Sequence, residues 1–352
     1  QKMDPPKFLL DQVKPVMAAC RRFCKSPIVL GGAGYSIFPK SILSYLKADM
    51  GIQGEAEIAF PTLLALMEQK ADFRKTPGLF LPGSGLQRQR TFVKDLDRLS
   101  LPHSDFWSQP AAHDEQIWMP VQTRRGCPMR CSYCSTSTIE GRLIRKHTVE
   151  SVVALIARHY ENGFNRFFFT DNTFNVPMSY AKALSQALFR SGLNISWRSI
   201  FYPGCVDESL VRDMAKGGCT EVSLGFESGS KTILKNLNKK FGPESIQRTA
   251  ELLADHGIAQ TGFLLLGGPG ETKQTVEESF TFVDGLNLDA LKVTIGIRIY
   301  PDTELARLAV SEGVITPGDA LLYPKFYLAP EIDGWVQKKV EMWIHDRPNW
   351  MM

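Results

Sequence analysis

The chain has 352 residues, 43% of them hydrophobic and 22% charged, with a formal charge of +4. That is ordinary globular composition, with room for one large domain or two smaller ones. The basic residues are scattered rather than gathered in a block, which gives no ground for nucleic-acid binding, and neither a membrane-length apolar run nor a signal-peptide pattern is present.

In chain order, apolar residues at helical spacing (Leu9, Val13, Val16, Met17, Cys20) predict a helix over residues 8–24, followed by a short strand at 27–30 that closes in the turn Gly31-Gly-Ala-Gly34. A helix is expected over 39–46, a strand at 50–52, the loop Gln53-Gly-Glu-Ala-Glu57, and a helix over 58–69. This is α/β in character, but two strands are too few for a doubly wound domain, so the chain is expected to begin partway into one. Residues 1–75 are therefore assigned to a partial α/β domain. Residues 76–118, punctuated by Pro77-Gly, Pro82-Gly-Ser-Gly85 and Pro102-His-Ser, are assigned to a linker. From residue 119 a βα pattern repeats six times, with strands at 119–123, 166–170, 195–199, 221–225, 262–266 and 290–296. Six such units imply a parallel sheet with outer helices, curling toward a partial barrel over 119–315. Residues 316–352 are left as an extension without a fold of their own.

Between the first two of these strands lies Thr123-Arg-Arg-Gly-Cys127-Pro-Met-Arg-Cys131-Ser-Tyr-Cys134, with the spacing C-x3-C-x2-C. Three thiolates so placed wrap one face of a [4Fe–4S] cluster and leave the fourth iron open to a small molecule. A structural zinc takes four Cys or His ligands, and the nearest following histidine, His147, comes 13 residues after Cys134. Seven cysteines are too few for a disulfide scaffold, and a cluster needs reduced thiols, which points to a cytoplasmic location. Cys20, Cys24, Cys205 and Cys219 have no cluster spacing and are read as packing residues.

The motif, at the end of a first barrel strand and with an aromatic before its last cysteine, resembles the radical S-adenosylmethionine (radical SAM) superfamily over residues 121–314. The resemblance implies that Cys127, Cys131 and Cys134 hold the cluster and that its open iron binds the amino and carboxylate groups of S-adenosylmethionine. Reductive cleavage then gives methionine and a 5′-deoxyadenosyl radical. It further implies Tyr133 against the adenine. Thr170-Asp171-Asn172 would receive the amino group, Asp171 by its carboxylate, and Glu227 or Ser228 the ribose or methionine end. Gly267-Gly268 and Ile297 would flank adenine, with Arg298 facing the reacting groups. An electron donor such as a flavodoxin or ferredoxin, and a small-molecule, peptide or protein substrate, are the implied partners.

Ile28 to Ser36 and Ala48 to Glu57 resemble the second half of the cobalamin-binding domain that precedes the barrel in one group of these enzymes. On that resemblance Gly31, Gly32, Gly34, Gly54 and Glu55 line the corrinoid. The Asp-x-His-x-x-Gly motif that supplies a lower cobalt ligand is not present in this chain. The implied activity is C-methylation that consumes two molecules of S-adenosylmethionine, with a cobalamin-bearing cyclase, rearrangement or oxidation enzyme as the alternative. A non-catalytic iron–sulfur electron carrier or sensor is the remaining reading.

Overall fold

The structure, a computed structural model, describes residues 8–99 and 117–352. It divides into two compact units. The first takes the described part of Gln1–Lys94 with Ser135–Gly141 and Ile299–Lys325; the second takes the described part of Asp95–Cys134 with Arg142–Arg298 and Phe326–Met352.

The first unit opens with α1 (Leu10–Phe23), and its first strand β1 (Val29–Leu30) ends at Gly32, whose φ of +93° only glycine adopts readily. That turn starts α2 (Ala33–Ile37), followed by α3 (Pro39–Leu46), with proline in the first turn where its missing N–H costs nothing. The parallel partner β2 (Met50–Ile52) carries Gly51 at its centre, and a Cβ there would fall 2.2 Å from Cζ of Tyr35, so the tyrosine ring lies flat over the strand. After α4 (Ala56–Glu68), β3 (Leu79–Leu81) and β4 (Gly85–Leu86) add an antiparallel hairpin, giving the order β1-β2-β3-β4. The start of the expected linker is thus part of this sheet: Leu79 closes the core formed by Met50, Ile52, Ala59 and Leu63. The turn expected at Pro102-His-Ser lies outside the described residues.

In the second unit β5 (Met119–Val121) leads to β6 (Arg124–Arg125). The cysteine loop follows, the chain then contributes α5 (Thr136–Glu140) to the first unit, and β7 (Arg145–Lys146) returns antiparallel to β6. The expected repeat then runs through α6 (Val149–Glu161), β8 (Arg166–Phe169), α7 (Met178–Arg190), β9 (Ser196–Phe201) and α8 (Glu208–Lys216). It continues as β10 (Cys219–Glu227), α9 (Lys231–Asn236), α10 (Pro243–Asp255), β11 (Ala259–Leu266), α11 (Lys273–Asp284) and β12 (Ala290–Ile295). Side-chain caps set the helix starts: Thr148 accepts from Ser151 N, Asp207 from Leu210 N, and Thr272 and Thr275 form a capping box. Beyond β12 come β13 (Ile297–Arg298), α12 (Glu304–Ser311), β14 (Phe326–Tyr327), α13 (Val336–Ile344) and β15 (Trp350–Met351).

The parallel sheet has the order β15-β12-β11-β10-β9-β8-β5 and stays open between its two edge strands, so the α/β fold is a partial barrel. The seventh strand corrects the expectation for the tail. Trp350 pairs with Leu291, and Trp343 stacks on Phe280 at 3.9 Å, which gives this aromatic segment a place against α11. Alternate strand residues, among them Phe167, Phe169, Trp197, Val222, Leu224, Phe226 and Leu264, are buried under the helices in one core. The opposite parity, including Phe168, Arg198, Ile200, Glu227 and Phe263, is half-exposed and lines the inner face. Among the described residues no helix is long and apolar enough to cross a membrane.

Candidate active site

The cysteine loop is anchored at its root by a carboxylate. Asp171, two residues past β8 and wholly buried, accepts from Thr123 N (2.8 Å), Thr123 Oγ1 (2.6 Å) and Arg124 N (3.1 Å). The equally buried Arg124 guanidinium completes the set, its Nε 3.3 Å from Asp171 Oδ2. Burial pushes the Asp171 carboxyl up, with Arg124 and the Thr123 donors pulling against it. Arg124 also donates to the Val176 carbonyl and lies over the rings of Tyr180 and Phe174. The next turn needs glycine: Gly126 has φ +93°, and a Cβ there would sit 2.1 Å from the Leu143 carbonyl oxygen.

Cys127 is buried and Cys131 and Cys134 are half-buried, and none of the seven cysteines forms a disulfide. Among the described residues no three Cys, His, Asp or Glu side chains converge on one point as ligands of a single metal ion do. A cluster does not ask that, because each thiolate binds a different iron. Three thiols on a braced loop fit a cluster. His147, the zinc alternative, is engaged by Asp97, with Nδ1 2.9 Å from its carboxylate.

The loop is pinned where α9 ends: Ser132 N donates to Leu237 O at 3.1 Å and Asn238 Nδ2 to Arg130 O at 2.5 Å. Between these contacts Glu227 accepts from Tyr133 Oη (3.0 Å) and from Lys239 Nζ (3.1 Å). Glu227 stands at φ +68° beside a bulge in β10, an uncommon conformation for a residue with a side chain. Burial works against the Lys239 charge, yet Glu227, Tyr133 and Cys131 hold its pKa well above the ordinary value. Burial raises the Cys131 thiol, with Lys239 opposing. Lys239 is the main residue that motif reading missed, since no local pattern marks it and only the fold brings it to Cys131.

Two expectations are corrected here. Asp171 is not free to receive a cofactor amino group, since both its oxygens serve Thr123 and Arg124. Ser228 does not face a ribose: it is fully buried, with Oγ 3.1 Å from Ser279 Oγ and accepting from Ser230 N. Both lie on the buried parity of their strands, in step with Phe169 and Phe226. Thr170 donates its N–H to Val121 O, and Asn172 is half-buried beside it. Glu271 is buried and accepts from Gly267 N and from Gly268 N (3.0 Å); burial lifts its carboxyl to about 7. Those amides are thus spoken for, and what the Gly267-Gly268 turn offers is a surface without side chains, with a Cβ on Gly268 falling 3.5 Å from Ile297 Cδ1. Ile297 is buried and pairs with Tyr327, while Arg298 is half-buried.

In the first unit Ser36 ties the two glycine loops together, donating to Gly32 O at 2.8 Å and accepting from Gly54 N at 2.9 Å. Among the described residues, a Cβ added at Gly32 or Gly34 would meet nothing within 4 Å, and one at Gly31 only the Ile52 carbonyl oxygen at 4.0 Å. Tyr35 in the same turn is buried, its ring turned onto Gly51, and its hydroxyl has no hydrogen-bond partner among the described residues. An open glycine surface fits the cradle expected for a corrinoid, where a side chain would block the approach. Glu55, in contrast, uses its carboxylate on Val93 N (2.7 Å).

Three thiols thus stand on one braced loop beyond the first strand of an open parallel sheet. The family model described as Radical SAM superfamily matches residues 121–283. An uncharacterized methyltransferase of Pyrococcus horikoshii, PH0819, is 28% identical over 294 residues, 82% of this chain and 64% of that protein. The chain thus spans just under two thirds of this relative. Two solved structures share the fold. TsrM from Kitasatospora setae, a radical S-adenosylmethionine methyltransferase, matches at TM-score 0.81 and 19% identity, over 98% of this chain and 76% of its own. OxsB, a cobalamin-dependent S-adenosylmethionine radical enzyme, matches at TM-score 0.76 and 14% identity, over 96% of this chain and 57% of its own. Residues 121–283 of the chain thus match the radical SAM superfamily, and the chain shares the fold of these two solved structures.

Proposed function

We propose that this chain is the cofactor-bearing part of an enzyme that methylates an unactivated carbon. It would use S-adenosylmethionine, a [4Fe–4S] cluster on Cys127, Cys131 and Cys134, and cobalamin against the Gly31–Gly34 turn. The observation that carries the reading is the presence, in one chain, of a braced three-cysteine loop and an open glycine cradle. The fold around them is shared almost end to end with TsrM, a methyltransferase whose structure holds cobalamin and a [4Fe–4S] cluster. When bound, these groups supply a one-electron cleavage of the sulfonium and a methyl donor for the carbon so activated.

The chain's own residues position and shield. Asp171 and Arg124 fix the root of the cysteine loop, so that the three thiols keep their spacing. Glu227, oriented by Tyr133 and Lys239, faces inward beside Cys131 and would receive the amino-acid end of S-adenosylmethionine, with the Thr170 carbonyl and Asn172 across the barrel mouth. Gly268 and Ile297 would give adenine a flat apolar seat, and Arg298 would face the reacting groups. The half-exposed inner face, with Ile200 and Phe263, would take a small molecule or peptide. A flavodoxin or ferredoxin would deliver the electron.

The test uses S-adenosylmethionine labelled in its methyl group, offered to the reduced, reconstituted chain with cobalamin. Labelled methylcobalamin and S-adenosylhomocysteine in equal amounts are expected. Formation of 5′-deoxyadenosine without either would favour the second reading, radical chemistry without methyl transfer, for which the likeness to OxsB is the supporting observation.

A further inference from the structure

The segment that follows the last cluster cysteine belongs to the first unit. The chain passes from Cys134 directly into Ser135–Gly141, which clusters with the glycine loops and not with the barrel. Within that unit α5 packs against α2, the helix that begins at the Gly31–Gly34 turn. A strap of four residues, Arg90 to Val93, holds the other side of α5. Arg90 donates through Nη1 to the Thr138 carbonyl, in the middle of α5. The ring of Phe92 lies against Gly141, the C-cap of α5, where a Cβ would fall 3.0 Å from Cε2.

The same strap grips the Gln53–Glu55 loop. The methylene stem of Arg90 runs along Gly54, its Cδ 3.4 Å and its Cβ 3.7 Å from where a Gly54 Cβ would stand, and Val93 N donates to the Glu55 carboxylate at 2.7 Å. Gly54 in turn is bonded to Ser36 of α2. A half-buried guanidinium, with Asp302 as its opposing charge, is thus clamped between the loop assigned to the corrinoid and the helix that follows Cys134 in the chain.

We propose that Arg90 is a positioning residue that couples the two cofactor sites: occupation of the glycine cradle steadies α5 through the strap, and α5 fixes the exit of the cysteine loop at Cys134. A displacement of Gly54, whether direct or from Gly32 through Ser36, moves the Arg90 stem, and its Nη1 carries the displacement to Thr138. The Arg90 side chain needs both its length and its planar donor for this, because the stem packs on one loop while the head reaches the other.

This inference rests on the corrinoid assignment proposed above, and the experiment separates the two. The reconstituted chain, as wild type, Arg90→Ala and Phe92→Ala, is studied with and without hydroxocobalamin. Hydrogen exchange is followed at amides 136–141, the paramagnetic spectrum of the reduced cluster is recorded, and bound corrinoid and iron are measured for each sample. In the wild type, corrinoid is expected to slow exchange in α5 at least threefold and to alter the cluster spectrum. In Arg90→Ala both effects are expected to vanish while corrinoid and iron stay bound, and Arg88→Ala, whose Nη1 donates to the Lys75 carbonyl, should behave as wild type. If Arg90→Ala loses corrinoid, Phe92→Ala is read in its place with the same expectation. Failure of the wild type to bind corrinoid overturns the assignment of the cradle. Binding without protection of α5, or protection that persists in both strap variants, overturns the coupling.

Discussion

Replacing Asp171 tests how the cysteine loop is held. The alanine variant removes the acceptor of Thr123 N, Thr123 Oγ1, Arg124 N and Arg124 Nε at once, at a site with no solvent to replace it. Each buried donor left unsatisfied costs about 1–3 kcal/mol, and a buried ion pair broken on one side about 3–5 kcal/mol. These costs overlap, because Arg124 keeps the Val176 carbonyl and the faces of Tyr180 and Phe174. We therefore expect a net loss of about 3–5 kcal/mol, a large share of the roughly 5–15 kcal/mol of a typical domain. Asp171→Asn retains one acceptor oxygen but points an amide at donors, and should lose about 2–3 kcal/mol. Urea titration gives the loss, and iron retained after anaerobic reconstitution reports the loop. The double variant Arg124→Met with Asp171→Ala removes the stranded charge and should recover part of the stability without the iron. A cost below about 1 kcal/mol for Asp171→Ala, with full iron content, would refute the brace.

Gly126→Ala must leave a φ of +93° or press a methyl onto the Leu143 carbonyl, so it should cost upward of about 2 kcal/mol and lower the bound iron per chain. Glu271 ionises near 7 in the folded chain against an ordinary 4.5, so its contribution is fully present below about pH 4.5 and is lost as pH rises through about 7. Glu271→Gln should match wild type in urea titrations at the acidic end and exceed it above pH 7, by at most about 3 kcal/mol; a difference that does not change with pH would contradict this. Lys239→Met strips the Glu227 carboxylate of its ammonium, and calorimetry should show S-adenosylmethionine binding weakened about tenfold, or about 1.4 kcal/mol.

The three-cysteine motif was legible because its spacing is covalent, which no packing can alter, and the six strands because period-2 and helical patterns alternated cleanly from Met119 onward. Asp171 and Ser228 went wrong for one shared reason. A polar residue at a strand end reads the same whether it points inward or outward, but counting by twos from Phe167 and from Val222 places both on the buried face, while Glu227, counted from Glu221, falls on the inner one. That signal was available in the sequence. Lys239 and Arg90 had none: each meets its partners through contacts between residues distant in sequence. The tail misled because β15 is only two residues long and is recognisable only once Leu291 is there to pair with it. The interleaving of the two units, with α5 and α12 returned to the first, is likewise set by tertiary packing and not by composition.

The central claim is that Cys127, Cys131 and Cys134 carry a cluster that cleaves S-adenosylmethionine. Its most direct test is the anaerobically reconstituted chain, reduced with dithionite and given S-adenosylmethionine, beside a variant with all three cysteines changed to alanine. The account predicts about four irons per chain and 5′-deoxyadenosine from the wild type, and neither from the variant. Iron bound by the triple variant, or a fully loaded wild type that leaves S-adenosylmethionine intact, would contradict it.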